Sequence, residues 1–253
     1  MTASKKIFTI LEELCIDGDF GVSELSTRLS IGKSTIHRYL SILKDLGYVE
    51  QNEKSNKYYA TLKTFELGSL VLSRVKLVKV ARNQMEELSK KVHETINLAL
   101  FEAGKVLYID KIESAETLRM DLAVGRTVPA YCTALGKVFL SHLKDDELED
   151  YLNNCVLKAN TGKTITDASE LKMHLKKVRK IGFAIDDREL DEGIRCIAAP
   201  IYDNSGNVAA ALSISGPTIR MKIEQIAALS NLIKEVTRDI SQKLGFINTI
   251  SKK

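Results

Sequence analysis

Tryptophan is absent from this 253-residue chain, and proline occurs only three times. With 14 glycines beside them, these numbers exclude a collagen-like chain or a Pro/Gly-rich low-complexity one. Four cysteines, Cys15, Cys132, Cys155 and Cys196, are scattered, with no CxxC pair and no histidine at ligand spacing. That speaks against a metal centre and against the disulfide framework of a small secreted protein. Long hydrophobic runs are also missing. The most apolar stretches, such as 208–214, fall far short of the roughly 20 residues that span a bilayer, so no membrane partner is expected. The N-terminal stretch is too charged for a signal-peptide core, which predicts a reduced, cytoplasmic protein. Nor is one sign of charge in large surplus: 37 Lys and Arg against 33 Asp and Glu leave +4. A total that small neither demands nor excludes a nucleic-acid partner.

What is present is the material of a folded protein with two cores. Hydrophobic residues make up 44% and charged residues 28%, and the length suits two domains. Ile7, Ile10, Leu11 and Leu14 share one helical face, stopped at Asp17-Gly18-Asp19. Ser23 reads as the N-cap of a short second helix, and Ser30-Ile31-Gly32 as a turn. A third helix over 33–46 buries Ile36, Leu40, Leu43 and Leu46 and is stopped by Gly47. Strands at 48–50 and 57–60 flank a polar turn, and a long helical pattern covers 64–92. Beyond it the rhythm changes. Strands are expected at 96–101, 105–111, 118–124, 183–185, 194–202 and 208–215, with helices at 133–142, 145–153, 167–181 and 221–244. The order lacks a regular βαβ alternation, so α+β with an antiparallel sheet is the expected class.

Helix, helix, tight turn, helix and hairpin within 62 residues is the outline of a winged helix-turn-helix, whose second motif helix enters the major groove of double-stranded DNA. The residues there suit the task. Ser34 and Thr35 are short hydroxyls at a helix N-terminus, Arg38 can fork onto guanine with His37 beside it, and Lys33 and Lys44 are placed for phosphates. Lys54, Asn56 and Lys57 lie in the wing. Taken singly, such residues are the solvated face of any amphipathic helix. The local balance over 20–63, seven basic to four acidic, adds to the outline.

Two later segments carry the other polar clusters. Residues 131–137 open a helix whose backbone amides can receive an anion; without a GxxxxGK[ST] or GxGxxG frame, a carboxylate suits better than a nucleotide, and no cofactor is expected. The second segment holds Asp186, Asp187, Glu189 and Cys196, followed by Ser213 and Ser215 on one side of a strand. An enzyme could use Cys196 as nucleophile or the carboxylates as an acid/base pair, but His37, His93, His142 and His174 all lie elsewhere, and a thiol without an activator is ordinarily inert. No catalytic residue is assigned.

Over essentially its whole length the chain resembles the IclR family of bacterial transcriptional regulators. The resemblance is carried by Gly182-Phe-Ala-Ile-Asp186-Asp-Arg-Glu189, by Cys196-Ile-Ala-Ala-Pro-Ile201-Tyr202-Asp203, by Thr133-Ala134-Leu135-Gly136-Lys137, by the strand 209–216 and by the winged helix, all in family order. It implies a DNA-binding domain over 1–63, a linker helix over 64–80 and a GAF-like effector-binding domain over 81–253. It implies a homodimer or homotetramer that binds an inverted-repeat operator, represses or activates a catabolic operon, and responds to a small organic acid. It further implies an effector pocket made by the amides of Ala134, Leu135 and Gly136, the side chains of Asp186, Cys196, Ser213 and Ser215, and an apolar wall of Leu118 and Met120. Leu135 and Tyr131 depart from the glyoxylate-binding pattern, which turns the expectation toward another small carboxylate.

Overall fold

The computed structural model describes residues 2–73, 76–119 and 122–247, which divide into two compact units on either side of residues 74–75. The first unit contains α1 (Ala3–Asp17), α2 (Val22–Leu29), α3 (Lys33–Asp45), the hairpin strands β1 (Val49–Gln51) and β2 (Tyr58–Ala60), and α4 (Lys63–Ser73). Its core is built from the apolar stripes the periodicity marks: Ile10 and Leu14 of α1, Leu25 of α2, Ile36, Leu40 and Leu43 of α3, with Ile31, Tyr39, Val49 and Tyr58. Phe20 adds a one-residue third strand beside β2, exchanging backbone hydrogen bonds with Tyr58 at 3.0 and 2.8 Å.

Two local expectations change. α2 begins at Val22 with Gly21 as its N-cap, two residues earlier than a Ser23 cap requires, because the Glu24 carboxylate reaches back to accept the Gly21 amide at 2.7 Å. Leu46 follows the last turn of α3 and is 54% exposed, so the buried stripe ends at Leu43. The helical pattern of 64–92 is divided between α4 and α5 (Lys76–Val92), with 74–75 outside the described residues.

The second unit is α+β. After α5 come β3 (Thr95–Glu102), β4 (Lys105–Ile112), β5 (Thr127–Pro129), α6 (Ala134–Leu140), α7 (Asp145–Asn154), α8 (Ala168–Ile181), β6 (Ala184–Asp187), β7 (Ile194–Tyr202), β8 (Val208–Pro217), a single 3-10 turn (Ile223–Gln225) and α9 (Ile226–Lys243). The strands form one antiparallel sheet ordered β5-β4-β3-β8-β7-β6. Because strand side chains alternate, one face carries Ile96, Leu98, Ile197, Ala199, Leu212 and Ile214 toward α5 and α9. The other carries Ala99, Val106, Tyr108, Val128, Ala184, Cys196, Ala198 and Ala211 toward α6 and α8.

Of the strand expected at 118–124, the described residues 118–119 and 122–124 are not in a strand. Residues 113–119 run as a loop, tied down where Arg220 Nη2 donates to the Leu118 carbonyl at 2.8 Å and where Ser114 Oγ donates to the His93 carbonyl at 2.6 Å. The chain rejoins the sheet only after Gly125, as β5 against Lys105–Leu107.

Candidate functional site

In the first unit the two faces of α3 separate cleanly. Ile36, Tyr39, Leu40 and Leu43 are buried, while Lys33, Ser34, His37, Arg38, Ser41 and Lys44 are exposed and Thr35 is half-buried. The turn before it is set by Ser30 in the left-handed region at φ 54° and by the buried Ile31, with Gly32 as N-cap. Arg38 lies over the Tyr39 ring at 5.0 Å, and its Nη2 donates to Tyr39 Oη at 3.2 Å, a cation–π contact that holds the guanidinium beside the ring.

The wing residues have local tasks as well. Asn52 Oδ1 accepts the amides of Lys54 and Ser55, and Asn56 takes φ 55°, so the turn between β1 and β2 is shaped by its asparagines. Lys54 is exposed at its tip. Lys57 is instead paired with Glu24 at 3.0 Å, and the Gly21 amide, then Lys57, hold the Glu24 carboxyl below the usual carboxylate range.

In the second unit a row of polar side chains crosses the face of the sheet covered by α6. Residues directly opposite on antiparallel strands share a face: Asp186 faces Cys196, Cys196 faces Ser215, and Ser213 faces Asn97. All five are buried. Asn97 Nδ2 donates to Ser213 Oγ at 3.2 Å and to Ser215 Oγ at 3.1 Å. Above the row stands the start of α6, capped by Thr133, whose Oγ1 accepts the Gly136 amide at 3.1 Å. The Gly136 amide is therefore already engaged, and the amides of Ala134 and Leu135 are the ones a helix start leaves without an internal acceptor. Gly136 has a packing reason of its own: a Cβ there would overlap the backbone of Ala130.

Lys137, on the same helix, has no exposed surface; it pairs with Glu189 and donates to the Ile185 carbonyl at 3.2 Å. Asp186 Oδ1 accepts the Glu189 amide at 2.7 Å, while Glu189 Oε2 is buried without a hydrogen-bond partner among the described residues. Burial, reinforced by the Glu189 charge, pushes the Asp186 carboxyl up to about 7. Burial pushes the Cys132 thiol up to about 12 and drives the Cys196 thiol and the Tyr108 phenol upward too. Cys196 is thus a neutral thiol, the opposite of an activated nucleophile.

Of the predicted pocket residues, Ala134, Leu135, Gly136, Asp186, Cys196, Ser213 and Ser215 come together. Leu118 does not join them as an apolar wall: its side chain is 57% exposed, because the Arg220 tie holds it by its carbonyl in the loop. Met120 lies outside the described residues. Asn97, Tyr108, Lys137 and Glu189 belong to the same cluster. The signal for two of them is legible in hindsight as a polar residue inside an apolar run, Asn97 in Ile96–Ala99 and Lys137 in Ala134–Leu140. Tyr131 faces a separate cavity of about 820 Å³ beside α7, with Phe101 and Tyr151; its Oη donates to the Lys158 carbonyl at 2.8 Å.

An exposed basic and hydroxyl-bearing face on the second helix of a helix-turn-helix, carried with a separate α+β unit that buries a polar row, defines a two-domain DNA-binding regulator. The comparisons with known proteins agree. Residues 69–242 match the family described as Bacterial transcriptional regulator IclR C-terminal, and residues 16–53 match the IclR helix-turn-helix domain. The HTH-type transcriptional regulator KdgR of Escherichia coli is 42% identical over 241 residues, 95% of this chain and 92% of that protein. The HTH-type transcriptional repressor AllR of the same organism is 30% identical, covering 90% of this chain and 84% of that protein. The crystal structure of the Thermotoga maritima IclR superposes with a TM-score of 0.76 at 35% identity, covering 96% of this chain and 98% of that one. The chain belongs to the IclR family of bacterial transcriptional regulators: it is a DNA-binding regulator and not an enzyme. Among the described residues no helix is long and apolar enough to cross a membrane.

Proposed function

We propose that the protein is a cytoplasmic, effector-controlled repressor of a catabolic operon that binds an inverted-repeat operator as a homodimer or a dimer of dimers. The observation that carries the DNA half of the reading is the polar face of α3, where Lys33, Ser34, His37, Arg38 and Lys44 are exposed on a helix whose other face is fixed in the core. In it Arg38 reads a base edge, Ser34 and Thr35 meet phosphate or base at the helix start, Lys33, Lys44 and Lys54 meet phosphates, and Asn56 and Lys57 set the wing that carries Lys54. The repressor sign is supported by AllR, which is a repressor by name.

The effector in this reading is a small organic acid. Its carboxylate meets the Ala134 and Leu135 amides, its polar body meets Asp186, Cys196, Ser213 and Ser215, and residues 64–80 link this unit to the DNA-binding one. Binding shifts the population between DNA-competent and incompetent arrangements. Operator titration tests the first half: Arg38→Ala is expected to lose about 1–3 kcal/mol of operator affinity and to relax selectivity at the base it reads. An unchanged footprint and affinity would remove α3 from the reading.

A further inference from the structure

Asp186, Glu189 and Lys137 form a buried group with an uneven charge count, two carboxyls to one ammonium. The ammonium is committed to Glu189 and to the Ile185 carbonyl. Asp186 has no cation in hydrogen-bond contact among the described residues; its Oδ1 takes the Glu189 amide. The other titratable groups around it carry no charge to offset. Cys196 from β7, Cys132 from the lead-in to α6 and Tyr108 from β4 are all held neutral by burial. His174 of α8, beside Lys137, is pushed down to about 4 by burial first and then by the lysine, and is neutral too. Asp187, next on β6, is paired with Arg195 at 2.9 Å and with Arg188. Asp191 lies beyond Cys196 and adds negative charge, not positive.

A carboxylate ligand entering this row sets a third anionic carboxyl against one ammonium, and an unmatched buried charge costs more than its hydrogen bonds return. We propose that this domain takes up its small acid together with one proton, held at Asp186, so that the site is selective for monocarboxylates. The inference rests on the small-acid reading above. The balance is simple: ligand carboxylate, ionised Asp186 and one proton give ligand carboxylate hydrogen-bonded to neutral Asp186, with no covalent bond in the ligand changed. Asp186 takes the proton because Glu189 already has its cation. Neutral Asp186 keeps its acceptor for the Glu189 amide and gains an O–H donor for the ligand. A dicarboxylate brings a second charge for which the row has no cation, and is disfavoured.

The dependence on pH has a definite sign. In the free protein Asp186 gives up its proton as pH rises through about 7, so affinity is flat below that point and falls above it, by about tenfold per pH unit. The test is calorimetric titration of the full chain at pH 8 with pyruvate, gluconate and 4-hydroxybenzoate, each in phosphate and in Tris, where the difference in heats counts protons. Uptake close to one proton per bound acid is expected, with Kd rising about tenfold per unit from pH 7.5 to 9. Asp186→Asn, which preserves the acceptor but cannot ionise, is expected to bind with no proton exchange and a flat Kd. Should that variant fail to fold, the wild-type buffer comparison decides alone. Binding without proton exchange in the wild type overturns the proposal and leaves the small-acid reading intact; no heat and no thermal shift with any of the three acids overturns both.

Discussion

A lysine with no exposed surface persists only where its charge is matched, and Lys137 is matched by Glu189 and the Ile185 carbonyl. Removing one member of such a pair strands the other, which is far more costly than removing both. Lys137→Met is therefore expected to destabilise the second unit by about 3–5 kcal/mol in chemical denaturation, and Lys137→Met with Glu189→Gln to recover part of that loss. Additive losses in the double variant would mean that the two side chains do not act on each other. At the same scale, Cys196 shows what a sequence leaves open. Its neighbours in the chain do not decide between nucleophile and core thiol. Its place, buried opposite Asp186 and Ser215, pushes its pKa up, away from the reactive range, and decides for the neutral thiol.

At the scale of elements, helix periodicity was the more reliable guide. The stripes of α1 and α3 follow from residue spacing, and α8 is capped by Asp167, whose Oδ1 accepts the Glu170 amide at 2.8 Å. Asp167→Ala is expected to lower the stability of the second unit by about 1 kcal/mol, read as a shift in the denaturant midpoint. Strand existence was less legible where an apolar run had no partner to pair with. Residues 118–124 alternate well enough, yet the edge of β4 is met by 127–129, and the Arg220 tie to the Leu118 carbonyl holds 113–119 in a loop. α6 raises a related point. Its glycine was legible as part of a helix start, but the reason for it is the Ala130 backbone against which that helix packs. No spacing rule reports a neighbour six residues back in the chain and in contact through the fold.

At the scale of the whole molecule, the small net charge of +4 acquires meaning only through where the cations stand. Phe65 of α4 is 71% exposed and Leu62, three residues before it, 82%, two large apolar side chains left uncovered in the first unit. In the proposed dimer a second copy of the same unit covers them, and half-site spacing then follows from the symmetry. Phe65→Glu is expected to shift sedimentation toward the monomer and to weaken operator binding with the isolated unit still folded. An unchanged oligomer would place the contact elsewhere.

By itself the sequence determined the order of the helices and of all strands but β5, the winged helix with its exposed residues, the α+β class of the second unit and the family. These depend on spacing within ten or fifteen residues, which hydrophobic periodicity and turn chemistry record directly. The tertiary structure alone decided which polar groups share the buried row, because strand register brings Asn97 to Ser213 and Cys196 to Ser215 across gaps that no local pattern measures. It also decided that Lys57 pairs with Glu24, that Leu118 faces out, and that two buried carboxyls stand beside one ammonium, which pairs with Glu189 alone. Charge state in a core depends on the company a side chain keeps, and that company is assembled only by the fold.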